Sequence, residues 1–147
     1  MIKRLLFLFA LFICFANLFW SDIHSKNLEK QKIYEAENAS YNNLIVVTDS
    51  SASAGAFLKM GDEGSVVWNI EVDSSAWYNV IFRYRSPYGE KEQSLVRNGY
   101  ESKIGFGYSP NWNFLTTKTH LQKGSNTIEL KASWGNINID YLTLHLV

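Results

Sequence analysis

The body of this chain has no cysteine; the single one, Cys14, falls in the first twenty residues. A domain without bridges has to be held by its own apolar core or by a metal. Net charge is also missing, with 14 basic against 14 acidic residues. No basic stripe exists, which argues against nucleic acid as a partner and removes any electrostatic case for a membrane surface. The three histidines, His24, His120 and His145, do not cluster at zinc spacing. There is no Gly-x-Ser-x-Gly elbow, no cysteine nucleophile beyond the leader and no glycine-rich phosphate loop. Glycoside hydrolysis asks for two carboxyl groups flanking a cleft. Here Glu35 and Glu37 share one strand face, and Asp62-Glu63 sits in a Gly61-to-Gly64 turn. The expectation is therefore a chain that is not an enzyme, with a small lyase or hydrolase of unrecognised site as the weakest alternative.

Met1-Ile2-Lys3-Arg4 is a short basic start, followed by an apolar run from Leu5 to Trp20 broken only by Asn17. Such a run is shorter than the roughly 20 residues that span a bilayer, so residues 1–25 read as a secretory signal, with an uncleaved anchor as the alternative. Residues 26–32 are polar and charged and read as a tether. The expected location is secreted or cell-surface, with a membrane involved only if the leader stays on. The mature part, with twelve basic and thirteen acidic residues, suits a single domain over 33–147.

Within that domain no window sustains a helical period. Short β-rich runs, separated by Gly, Asn, Asp and Ser, predict strands at 44–48, 56–60, 65–72, 77–85, 93–97, 114–121, 127–131 and 139–146. Alternation predicts that Tyr78, Val80, Phe82 and Tyr84 share one face. Asn98-Gly99 is a two-residue hairpin signal, and 123–126 is another tight turn. The fold class that follows is all-β, a jelly-roll-like two-sheet sandwich behind an N-terminal signal segment.

Two phrases at opposite ends carry acidic groups that a core cannot hold unpaired: Tyr34-Glu35-Ala36-Glu37-Asn38 and Asn138-Ile139-Asp140-Tyr141-Leu142. In a strand, Glu35 and Glu37 would lie about 7 Å apart on one face. If the first and last strands pair, Asp140 joins them, and three carboxylates with backbone carbonyls make the oxygen shell that calcium prefers. The competing reading is an ion pair with Arg83 and Arg85, which share the same two-residue spacing.

Two longer connections stand out, 86–92 and 105–113. The second carries Phe106, Tyr108 and Trp112, and Trp134-Gly135-Asn136 occupies the turn before the last strand. Rings in a loop either plug the open end of a sandwich or face a ligand. A flat ring can stack on the C–H face of a sugar while amides such as Asn136 and Asn138 meet its hydroxyls. The competing reading for Asn138 is a turn residue bonding its own backbone.

Seven phrases in order now resemble one family: 34–39, 53–58, 64–70, 78–84, 95–99, 121–130 and 138–142. The chain is similar to the β-sandwich carbohydrate-binding modules of family 35, and more distantly to family 6, over 33–147. The resemblance implies a module that does not catalyse. It also implies a structural calcium held by Glu35, Glu37 and Asp140 with carbonyls near Ser53, and a glycan site in the loops at Trp112, Trp134 or its neighbour, and Asn136 or Asn138; Tyr108 is a candidate from its place in the 105–113 connection. Where many relatives carry a tyrosine, this chain has Lys59 or Met60. Lys59 or Arg97 would then offer a cation to a uronic acid, alongside mannan and galactan as candidate ligands. The expected ligand is a plant or algal polysaccharide, with a glycan-active enzyme as a partner in trans. The alternative is a membrane-retained protein that captures glycans or adheres at the surface. With the sequence ending at Val147 just after the last strand, the expectation is a module that works alone, acts in trans or is part of a longer product.

Overall fold

The computed structural model describes residues 32–147; the leader and all but the last residue of the tether lie outside the described residues. Eleven strands follow in order: β1 (Ile33–Glu35), β2 (Ser40–Asn42), β3 (Ile45–Thr48), β4 (Ala56–Met60), β5 (Ser65–Val72), β6 (Ala76–Ser86), β7 (Lys91–Arg97), β8 (Tyr100–Phe106), β9 (Ser109–Leu121), β10 (Gly124–Trp134) and β11 (Ile137–Leu146). They form two antiparallel sheets. Sheet A has the order β3-β4-β11-β6-β9 with β1 also on β11, and sheet B has the order β2-β5-β10-β7-β8.

Period-two alternation does most of the work. Along β6 the buried residues are Tyr78, Val80, Phe82 and Tyr84, as alternation predicts, and then Ser86, and between them Asn79, Ile81, Arg83 and Arg85 face the other way. Leu58, Met60, Ile139 and Leu142 from sheet A meet Val66, Trp68, Ile70, Leu95, Ile128 and Leu130 from sheet B. Phe82 sits at the centre, 6.0 Å from Trp68 and 6.2 Å from Phe106 between ring centroids. Each fully buried ring or aliphatic chain contributes roughly 1.5–3 kcal/mol of transfer free energy.

The sequence reading missed β2 and β8. Strand β8 follows the Asn98-Gly99 turn, where both residues have positive φ (47° and 85°) as a type I′ hairpin requires. Its alternation is weak because only Ile104 and Phe106 are buried. The expected 105–113 loop is likewise mostly strand. Phe106 ends β8 inside the core, 4.9 Å from Tyr84, and Trp112 lies in β9. Trp112 and Pro110 sit in a bulge, where Tyr84 opposes Asn113 yet Ser86 opposes Ser109, and Tyr108 is in the turn before it. β9 is the outer strand of sheet A, so a proline within the bulge costs no ladder bond.

Candidate functional site

The end of the sandwich that gathers the turns at 61–64, 87–90, 107–108 and 135–136 holds a cavity of about 490 Å3. Register explains it. Trp134 on β10 stands opposite Glu92 on β7, and Glu92 stands opposite Gly105 on β8. These three share the outer face of sheet B, since their neighbours Gln93, Ile104 and Phe106 turn into the core. Gly105 has no side chain, and a Cβ placed there would meet nothing within 4 Å. The missing side chain is the floor of the cavity; Glu90, Lys91 and Gly107 complete its wall.

Trp134 is aimed outward by a bulge. The ladder between β10 and β7 shifts register between Lys131 and Trp134. The buried side chain of Gln93 fills the gap: its Oε1 accepts from the Ser133 amide at 2.8 Å and its Nε2 donates to the Gly135 carbonyl at 2.7 Å. Lys91 holds the ring from the other side. Its ammonium lies 5.0 Å from the Trp134 ring centroid and donates to the Tyr88 carbonyl at 2.9 Å. The stem passes so close to Gly135 (φ 77°) that a Cβ there would fall 2.1 Å from Lys91 Cδ. Trp134 is still 62% exposed, with Tyr108 at 60% and Tyr88 at 78% in neighbouring turns. Asn136 is exposed in the turn after Trp134, its Oδ1 3.9 Å from where a Gly61 Cβ would stand.

The other expected ligand residues lie elsewhere, on the outer face of sheet A. Asn138 is in register with Lys59 on β4 and Arg85 on β6. Trp112 is half-buried there: its ring meets Phe57 edge-on at 5.4 Å and the Arg85 and Arg83 guanidinium carbons at 4.0 and 4.9 Å, and its Nε1 donates to Ser51 Oγ at 3.0 Å. Trp112 is therefore a packed ring, and its nearest surroundings are cations. Lys59 and Arg97, offered as partners for a uronate, are outside the cavity. Arg97 donates to Ser102 beside the 98–99 turn, six residues along β7 from Lys91, or about 20 Å.

The acidic phrases do meet. β1 pairs with β11, and the Ala36 amide donates to the Asp140 carbonyl at 2.8 Å. Asp140 occupies a third bulge, where the β11–β6 ladder skips between Ile139 and Tyr141. The bulge turns its carboxylate, fully buried, onto Arg83, with which it forms an ion pair. The Ser53 amide donates to both of its oxygens at 3.1 and 3.2 Å, and Ser53 Oγ donates to Glu35 Oε1 at 2.9 Å. Glu37 falls in the turn after β1. Glu35 Oε2 and Glu37 Oε2 are buried with no hydrogen-bond partner among the described residues.

Burial pushes the carboxyls of Glu35, Glu37 and Asp140 up, and their mutual repulsion raises Glu35 and Glu37 further. For Asp140, burial outweighs the Ser53 and Arg83 contacts. Of the ion-pair reading, Arg83 meets one member of the trio, Asp140, while Arg85 pairs instead with Asp49 at 2.8 Å. The donors left over are all oxygen, which is calcium chemistry. Among the described residues no three Asp, Glu, His or Cys side chains make a metal-ligand set unaided, so Ser53 and main-chain oxygens would have to complete one.

The residues missed from sequence are Tyr88, Glu90, Lys91, Glu92, Gly105 and Gly107. The signal available was the interrupted 86–92 connection, with an aromatic and a Glu-Lys-Glu triplet.

Residues 32–147 match the model of carbohydrate binding module (family 35). A mannan endo-1,4-beta-mannosidase of Thermothelomyces thermophilus is 30% identical over 116 residues, covering 76% of this chain and 24% of that protein. Mannan endo-1,4-beta-mannosidase B of Piromyces sp. is 29% identical over 149 residues, covering 95% of this chain and 24% of its own. The chain thus spans about a quarter of the length of these curated relatives. Among solved structures, a family 35 carbohydrate binding module from Clostridium thermocellum superposes with a TM-score of 0.71 at 25% identity, covering 80% of this chain and 99% of that one. The Podospora anserina GH26-CBM35 beta-(1,4)-mannanase gives 0.73 at 24% identity, over 80% of this chain and 28% of that one.

Proposed function

The chain belongs to carbohydrate binding module family 35, and from that membership we propose that it binds a β-mannan-type polysaccharide in the Trp134–Glu92–Gly105 cradle without cleaving it. The observation that carries the reading is the cradle itself: an outward indole beside a cross-strand carboxylate, over a floor that a glycine leaves open. The ring supplies a stacking surface for a sugar's C–H face, and Glu92, Glu90 and Asn136 supply hydroxyl partners. Glu90 and Glu92 leave one chain segment side by side. Hydrolysis would need carboxyl groups on opposite sides of the scissile bond. The mannanase relatives support mannan as the glycan. Secretion or cell-surface display, and action in trans with a glycan-active enzyme, belong to the same proposal.

The acidic cluster is proposed as a structural calcium site held by Glu35, Glu37 and Asp140 with Ser53. Calcium, when bound, would supply the positive charge that the two unpartnered carboxylate oxygens lack.

Affinity electrophoresis or calorimetry on mannan tests the reading with Trp134→Ala and Gly105→Trp. The latter fills the cavity with a side chain that the backbone admits. Both should lower affinity at least about tenfold, the loss of roughly 1.4 kcal/mol, and the wild type should release no reducing ends. Retention unaffected by either substitution would move the site elsewhere.

A further inference from the structure

The cradle's charged lining bears on which glycan it takes. Three charged side chains line the cavity: Glu90, Lys91 and Glu92. The one cation is already engaged, its ammonium bonded to the Tyr88 carbonyl and held over Trp134. Among the described residues neither glutamate is in an ion pair. Lys103, one step along the same sheet face, donates to the Ser94 and Ser133 hydroxyls and does not line the cavity. Arg83 and Arg85 are paired with Asp140 and Asp49 on the other sheet. The uncommitted groups that a ligand meets are therefore two carboxylates, which accept hydrogen bonds and donate none when ionised.

Resting on the glycan-site reading above, we propose that Glu90 and Glu92 make the cradle a charge filter that takes neutral hexose chains and rejects uronate-bearing ones. Sugar hydroxyls donate to these carboxylates in charge-assisted hydrogen bonds. Lys91 keeps its charge but is held against Trp134 and the Tyr88 carbonyl, so two carboxylates against one cation leave the lining net negative, and a uronate adds a third like charge to it. The rejection acts partly through solvent, so it weakens as salt screens it. Glu92 is the stronger determinant, because it stands in register between the Trp134 ring and the Gly105 floor.

The experiment measures binding of mannohexaose and of an oligogalacturonate of equal length to the wild type, E90Q/E92Q and Trp134→Ala. Each is run at low and at physiological ionic strength, with chelator and with calcium. The wild type should bind mannohexaose and leave the oligogalacturonate at least about tenfold weaker. The double substitution keeps the shape of both side chains and should raise uronate affinity roughly fivefold or more at low salt, a gain that shrinks as salt rises. Equal wild-type affinity for the two probes, or no gain in E90Q/E92Q, overturns the filter and leaves the glycan site standing. Wild-type uronate binding that appears only with calcium also overturns it, since the glutamates would then be holding a metal. If the wild type binds neither probe, or Trp134→Ala binds mannohexaose unchanged, the glycan-site reading fails and the filter with it.

Discussion

The indole of Trp112 has little freedom left. Its edge rests on Phe57, two guanidinium groups lie within 5 Å of its ring centroid, and its N–H is bonded to Ser51. Truncating it would strip packing from a half-buried ring, remove two cation–π contacts and leave Ser51 without a donor. We expect Trp112→Ala to cost about 2 kcal/mol, below the 3–5 typical of a fully buried ring. In a domain of this size that lowers the melting temperature by roughly 8 °C, measurable by calorimetry. Mannan affinity should stay within about twofold, because the cradle is on the other sheet. Binding lost with the melting temperature unchanged would make the outer face of sheet A the glycan surface. Trp134 poses the opposite case, an exposed ring whose position depends on Lys91 and Gln93, so its truncation should be felt in binding.

At the scale of elements, β1, β11 and the connection at 49–55 form one charged assembly. Arg83 reaches the Ser51 carbonyl at 3.2 Å as well as Asp140, and Asp49 accepts from the Ser51 amide at 2.8 Å. Its pH behaviour follows from the directions of the shifts. Glu35, Glu37 and Asp140 have carboxyls raised above their ordinary values, so the folded state binds their protons more tightly than the unfolded chain does. Without metal, the stability they contribute is full when they are protonated and is lost as pH rises through the raised values. Asp49 runs the other way: Ser51 and Arg85 lower its carboxyl to about 2, so its contribution holds above the ordinary value and fades only in strong acid. With chelator present, the melting temperature should therefore rise as pH falls from neutrality toward the ordinary carboxylate range. With calcium the trend should reverse, because protons then compete with the metal. Parallel profiles with and without calcium would rule out a metal at this cluster. The pairing of β1 with β11 was legible in sequence, since acidic residues set among apolar and aromatic ones at both ends needed a common partner. The bulge at Asp140 was not, because a single extra residue leaves no mark on alternation until register is known.

The whole molecule separates two tasks. β11 pairs with β1, β4 and β6, so the last strand is the middle of sheet A, and the carboxylates lie where β1 joins it. The cradle is built by β7, β8 and β10 of sheet B and, among the described residues, shares no residue or hydrogen bond with the carboxylate assembly. The layered architecture and the inward residues of β6 could be read from alternation alone. The cradle could not: it is a row across three strands, one of them unrecognised, and its central feature is a side chain that Gly105 does not have. This separation has a measurable consequence. Sites that share no partner contribute almost additively, so chelation should lower the melting temperature while leaving mannan affinity, measured well below that temperature, within about twofold. Conversely, Trp134→Ala should weaken binding while preserving the full calcium-dependent rise in melting temperature. Saturating glycan at about a hundred times its dissociation constant should add roughly 2.7 kcal/mol on top of that rise. A calcium-dependent affinity for neutral mannan would show that the two sheets are coupled through the core around Phe82, and Phe82→Leu would then be the substitution that uncouples them.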